Sequence, residues 1–162
     1  QEPSLWDWFN KRLDNRQELE AWMDEAAQHQ QQKTRFPFLV IDRLNNAVAG
    51  STSLMNLSIP DRRIEIGSTW YGNSFRGTGI NTHCKFLLLQ YAFESMGFER
   101  VEIKTDVLNA RSRAAIRKLG MAEEGILRSH MQMPGNRRRD SVYYSMLAAE
   151  WPEAKAALLL RC

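Results

Sequence analysis

Cysteine is scarce in this chain: Cys84 and Cys162 are its only two. Cys84 falls on an apolar helical face and Cys162 is the last residue, so a disulfide framework is excluded. A reducing, cytoplasmic setting is the expectation that follows. Long apolar runs are missing too. No stretch approaches the roughly 18 residues that a membrane-spanning helix needs, and no signal peptide is recognisable, so a membrane partner is not expected. Histidine is limited to His29, His83 and His130, none at metal-ligand spacing with cysteines or carboxylates, and no metal site is expected. Charge of one sign is also in short supply. The net charge of +3 comes from interleaved acids and bases, which disfavours nucleic acid as a partner. No internal repeat or low-complexity segment interrupts the 162 residues. They are enough for one domain, 1–162, with a substantial core.

What is present centres on Ile64 to Ile80. Ile64, Ile66 and Trp70 alternate with polar positions, the period of a strand. Gly72, Asn73 and Ser74 stop it, and Gly77-Thr78-Gly79 makes a tight turn. From Ile80 the apolar spacing becomes Ile80, Cys84, Leu87, Leu88 and Tyr91, which predicts a helix with one buried face, ending at Gly97. A strand, a glycine turn and a helix start present unpaired backbone N–H groups that suit a phosphate or pyrophosphate. Arg76 can add a charge-assisted contact to the same anion. A P-loop would need Lys-Ser/Thr where Ile80-Asn81 stands, and a Rossmann turn would need a third glycine where Thr82 stands.

Along the rest of the chain, Leu5, Trp6, Trp8 and Phe9 form a helix end or a hydrophobic plug. Asn15 with Glu18 reads as a capping box for a helix running to about Gln32. Phe36–Asp42 and Val48–Leu57 read as strands that, with the central one, make an antiparallel meander. Arg100–Val107 is a further strand, and Asn109 an N-cap for a helix closed by Gly120. Met121–Met133 and Ser141–Leu147 form a hairpin over Pro134-Gly135-Asn136, and Trp151-Pro152 starts a last helix. The fold class is α+β, a mixed sheet with helices packed on it. Arg137-Arg138-Arg139 is expected to be a solvated loop, although it could recruit an acidic protein, nucleic acid or a phosphate.

Arg76-x-x-Gly79-x-Asn81 resembles the Q/R-x-x-G-x-G/A signature of the GNAT superfamily of N-acetyltransferases, with Asn81 where the signature has Gly or Ala. Asn109-Ala-Arg-Ser112, followed by Lys118-Leu119-Gly120-Met121 and Glu124-Gly125, is similar to the pattern of its RimJ/RimL-type branch. Glu65-Ile66-Gly67 resembles the E-I-G of that branch's cofactor strand. The resemblance covers roughly residues 36 to 150. It implies acetyl-coenzyme A as cofactor, with its pyrophosphate on Gly77, Thr78, Gly79, Ile80 and Asn81, and a primary amine as acceptor, on a protein N-terminus or a small molecule.

The resemblance further implies a mostly antiparallel sheet that splays at its central strands to admit the pantetheine arm, and edge-to-edge dimers in many relatives. The family's first strand has no counterpart before Leu5, so the domain is expected to be N-terminally incomplete. Amine acetylation needs a base, a polarised carbonyl and a proton for the thiolate. The carbonyl is assigned to a backbone N–H of the central strand near Thr69, Trp70 and Tyr71. Glu65 is the candidate base; otherwise it is a strand carboxylate paired with Arg62 or Arg63. Asn109 would contact the pantetheine arm or cap its helix. Ser112 matches the branch's serine near the cofactor sulfur and is the candidate acid. The tyrosine that many GNAT enzymes use as acid is replaced by Ile116.

Overall fold

Asn15 starts the first helix, α1 (Arg16–Gln31), by accepting the Glu18 amide on its side chain. Glu18 reaches back to the amide of Asp14, one residue earlier than a regular capping box would place it. The computed structural model describes residues 6–160, so the predicted plug is seen from Trp6 onward, and Leu5 lies outside the described residues. Strands β1 (Arg35–Asp42), β2 (Ala47–Ser58) and β3 (Arg63–Tyr71) form the expected antiparallel meander. After the glycine turn comes α2 (Ile80–Gln90), which widens over Tyr91–Ser95 and ends at Gly97 with φ +66°. There follow β4 (Arg100–Asp106), α3 (Ala110–Lys118), β5 (Ala122–Gln132), β6 (Arg138–Leu147) and α4 (Trp151–Leu159).

The six strands lie in the order β1-β2-β3-β4-β6-β5. All neighbours are antiparallel except β3 and β4, which run parallel. Ile64 and Ile66 of β3, Leu54 of β2 and Val101 of β4 are almost fully buried in one cluster with Phe86, Leu89, Phe93 and Trp151. The Phe93 and Trp151 rings stack at 5.6 Å. The opposite face carries Arg35, Met55 and Glu65 in one rank across β1, β2 and β3, and α1 packs on that side against β1.

The buried face of α2 differs from the predicted one. Lys85, Phe86, Leu88 and Leu89 are buried, whereas Leu87 and Tyr91 are about half exposed. Four consecutive apolar residues, Phe86 to Leu89, leave the helical phase undetermined by hydrophobicity alone, and the rotation is decided by packing on the sheet.

Candidate active site

β3 and β4 pair only at Arg63, Ile64 and Glu65, opposite Arg100, Val101 and Glu102. Beyond Glu65 the strands part, as the resemblance implied, and among the described residues the β4-facing edge of β3 has no strand partner from Ile66 to Tyr71. On its other edge β3 bulges. Ser51 faces Trp70 and Ser53 faces Gly67, so Ser68 and Thr69 both stand opposite Thr52, with Ser68 at φ +49°. Gly50 permits the close approach beyond the bulge, because a Cβ there would lie 2.0 Å from the Trp70 carbonyl oxygen.

A cavity of about 810 Å³ opens from the parting. The predicted residues Glu65, Thr69, Trp70 and Tyr71 line it from β3, Arg76, Gly77, Gly79 and Asn81 from the turn, and Asn109 and Ser112 from the start of α3. Thr78 and Ile80 are not on this wall; Thr78 Oγ1 donates to the Phe75 carbonyl at 2.8 Å. Gly77 and Gly79 have φ +78° and +88°, and nothing lies within 4 Å of where their Cβ atoms would be. The turn is therefore open above its backbone, and the first N–H groups of α2 have no helical acceptor. That combination fits a pyrophosphate. Arg76 donates from Nε to the Tyr71 carbonyl at 3.0 Å, which ties the turn to the end of β3.

Glu65 is 4% exposed, and neither arginine predicted beside it is its partner. Its Oε2 accepts Lys104 Nζ at 2.6 Å and Asn56 Nδ2 at 2.8 Å, while Arg62 pairs with Glu99 and Arg63 with Asp61 and Glu102. Lys104 reaches Glu65 across the gap, while Arg63, two residues back on the same face of β3, is held by Asp61 and Glu102. Asn109 Oδ1 accepts the Ser112 amide at 3.0 Å as an N-cap, and half-buried Ser112 stays on the cavity wall. Tyr143 lies under Lys104, whose Nζ is 5.6 Å from its ring centre, and Tyr144 is fully buried and donates to Glu123.

The arginine run is no solvated loop. Arg137 donates to fully buried Asp106 at 2.7 Å, Arg138 bonds Ser129 and Gln132, and Arg139 is 8% exposed with Nε on Ser141. A buried carboxylate at the end of β4 requires a cation, and the hairpin supplies it.

The Acetyltransferase (GNAT) domain family matches residues 1–122. The chain belongs to the GNAT acetyltransferase family. Over 111 residues, 68% of the chain, this GNAT domain is 39% identical to the protein named "Putative ribosomal N-acetyltransferase YdaF" of Bacillus subtilis (strain 168). The chain spans 60% of that relative's length and 63% of a second curated relative's, from Bacillus licheniformis. A GCN5-related N-acetyltransferase of Brucella melitensis is similar in structure, with TM-score 0.90 and 33% identity over 98% of this chain and 70% of that one. The ribosomal-protein-S5-alanine acetyltransferase of Vibrio fischeri, at 18% identity and TM-score 0.75 over 91% of this chain and 82% of that one, is alike in fold. Among the described residues no helix is long and apolar enough to cross a membrane.

Two features of the GNAT site escaped the sequence. One is the bulge at Ser68, a serine with no mark of a left-handed conformation. The other is Lys85 of α2, 5% exposed on the cavity wall, whose Nζ donates to Thr69 Oγ1 at 2.6 Å and Thr52 Oγ1 at 3.1 Å. Burial lowers its pKa to about 8. A lysine inside an apolar helical run was the available signal. Burial also pushes the Tyr71 phenol up, with the Cys84 thiol beside it adding to the shift. Ile116 is 4% exposed and packs into the core.

Proposed function

We propose that this GNAT domain transfers the acetyl group of acetyl-coenzyme A to a primary amine, by direct attack with both substrates bound. The observation that carries the proposal is the unpaired edge of β3 beyond Glu65, which continues into the glycine turn at the start of α2. Acetyl-coenzyme A supplies the activated thioester. Gly77, Gly79 and Asn81 hold its pyrophosphate with backbone N–H groups, and Arg76 adds charge. A backbone N–H of β3 near Thr69, Trp70 and Tyr71 donates to the thioester carbonyl oxygen as charge builds on it. Glu65 takes the amine's proton, directly or through water, and Ser112 gives one to the leaving sulfur. Asn109 fixes the first turn of α3 so that Ser112 stays at the wall. Because the thioester is already activated, positioning accounts for much of the rate.

Ile116 favours a second reading, a module that binds acyl-coenzyme A and transfers nothing. One experiment separates them. Acetyl-coenzyme A and free coenzyme A are titrated calorimetrically into the chain, then thiol release is followed with pooled amines. The enzyme reading expects binding that Arg76→Glu and Gly79→Trp abolish, together with amine-dependent thiol release. Binding without release supports the module, and a folded chain that binds neither ligand overturns both.

A further inference from the structure

Several residues lining the cavity carry buried hydrogen-bond donors that have no acceptor among the described residues. Arg35 of β1 is 7% exposed; its Nε donates to Ser53 Oγ at 2.9 Å and its guanidinium lies 5.0 Å from the Trp22 ring centre. Among the described residues its Nη2 is buried without a partner, as are the indole N–H groups of Trp6 and Trp70. The two indoles meet edge to face at 5.7 Å, and all three residues line the one cavity. Buried donors are nearly always satisfied, so orphaned donors on residues that line one cavity point to an acceptor that arrives with the ligand. A guanidinium beside an aromatic ring, with an N–H to spare, is a charged donor suited to a carboxylate oxygen.

Charge and position narrow the choice. Of the cavity's charged side chains, eight are Lys or Arg and two are Glu. Both glutamates already hold a lysine, Glu65 with Lys104 and Glu25 with Lys11, so a polycation finds no unclaimed carboxylate. Arg35 reaches Ser53, and Ser53 pairs with Gly67, next to the bulge of β3. Arg35 is thereby anchored on β2, the strand next to β3, at whose other edge acyl transfer is proposed.

We propose that the acceptor is an amine that carries a carboxylate a few bonds away, an amino-acid-like molecule whose carboxylate is held by Arg35 with the Trp6 and Trp70 indoles. The inference rests on the acetyltransferase reading and names its substrate class. It is tested without turnover, by tryptophan fluorescence titration of the chain with N-acetylglycine and N-acetyl-γ-aminobutyrate, each against its carboxamide. At least one carboxylate is expected to bind 10-fold or more tightly than its amide. Arg35→Gln removes that preference, Arg35→Lys keeps part of it, and Trp6→Phe, which retains the ring, weakens it several-fold. Equal binding of acid and amide, a preference unchanged in Arg35→Gln, or tighter binding of spermidine than of either acid overturns the proposal. Loss of acetyl-coenzyme A binding would strike the acetyltransferase reading instead; intact acetyl-coenzyme A binding with no acid-over-amide preference strikes this inference alone.

Discussion

Lys104 donates to Glu65 at 2.6 Å across the gap between β3 and β4, just past the last residue pair that joins the two strands. The contact sets the carboxylate at the mouth of the parting, and both ends are largely buried, with side chains 16% and 5% exposed. Glu65→Gln keeps the shape and removes the charge. It is expected to lower kcat by about 10²-fold while acetyl-coenzyme A affinity changes little. Calorimetry and steady-state kinetics on the same preparation check this, and an unchanged kcat would remove Glu65 from the reaction.

Asn109 has two proposed tasks that substitution can separate. Asn109→Ala removes the α3 cap and should cost about 1 kcal/mol of stability, measured by denaturant unfolding. Asn109→Ser restores a capping oxygen and most of that stability. Turnover is expected to stay low in Asn109→Ser, since the shorter side chain no longer reaches the pantetheine arm. Full recovery of both would reduce Asn109 to a cap.

Lys85 is charged at neutral pH at a cost in stability. Its pKa is about 8 in the folded chain against about 10.5 in an unfolded one, so between those values the unfolded chain holds the extra proton. Stability from this group therefore rises as pH climbs from about 8 to about 10.5, and below 8 the full penalty stands. Lys85→Met should stabilise the fold at pH 7 by up to about 3 kcal/mol and show no such alkaline rise. Thr52 and Thr69, 2.8 Å apart, still bond each other in the variant. Thermal melts across pH 7 to 10 decide it, and equal pH slopes for the two proteins would refute it.

At the acid end, Glu94 accepts Lys155, Trp151 Nε1 and Gln90, and Lys155 above all holds its pKa down to about 2. Glu124 is lowered to about 2 chiefly by Arg100, with Ser145 assisting. Depressed carboxylates stabilise fully above their unfolded values, near pH 4.5, and lose that contribution as pH falls towards 2. Glu94→Gln should be less stable than the parent at pH 6, with a shallower loss between pH 4.5 and 2. Urea midpoints at both ends of that window test the difference.

The element order, the antiparallel meander, the Asn109 cap and the glycine turn were legible because each has a local cause: alternation, a short polar side chain, a left-handed backbone. The face of α2 was not, since an apolar run carries no phase. Glu65 beside Lys104 was equally hidden, because 39 residues separate them and only the register of β3 on β4 brings them together. The arginine hairpin looked solvated for the same reason: its acidic partner, Asp106, belongs to another strand. Arg35 carried no sequence mark at all, and it became visible only when Trp6, Trp22 and Trp70 closed around one cavity.

Among the described residues, only three ladder pairs join β3 to β4, the first half of the sheet to the second. The fold is thus two half-sheets joined near one end, and a molecule lying in the gap supplies the missing rungs between them. Its binding energy becomes cohesion of the sheet itself, growing as RT ln(1 + [L]/Kd) with its concentration. A protein built this way is completed by what it binds.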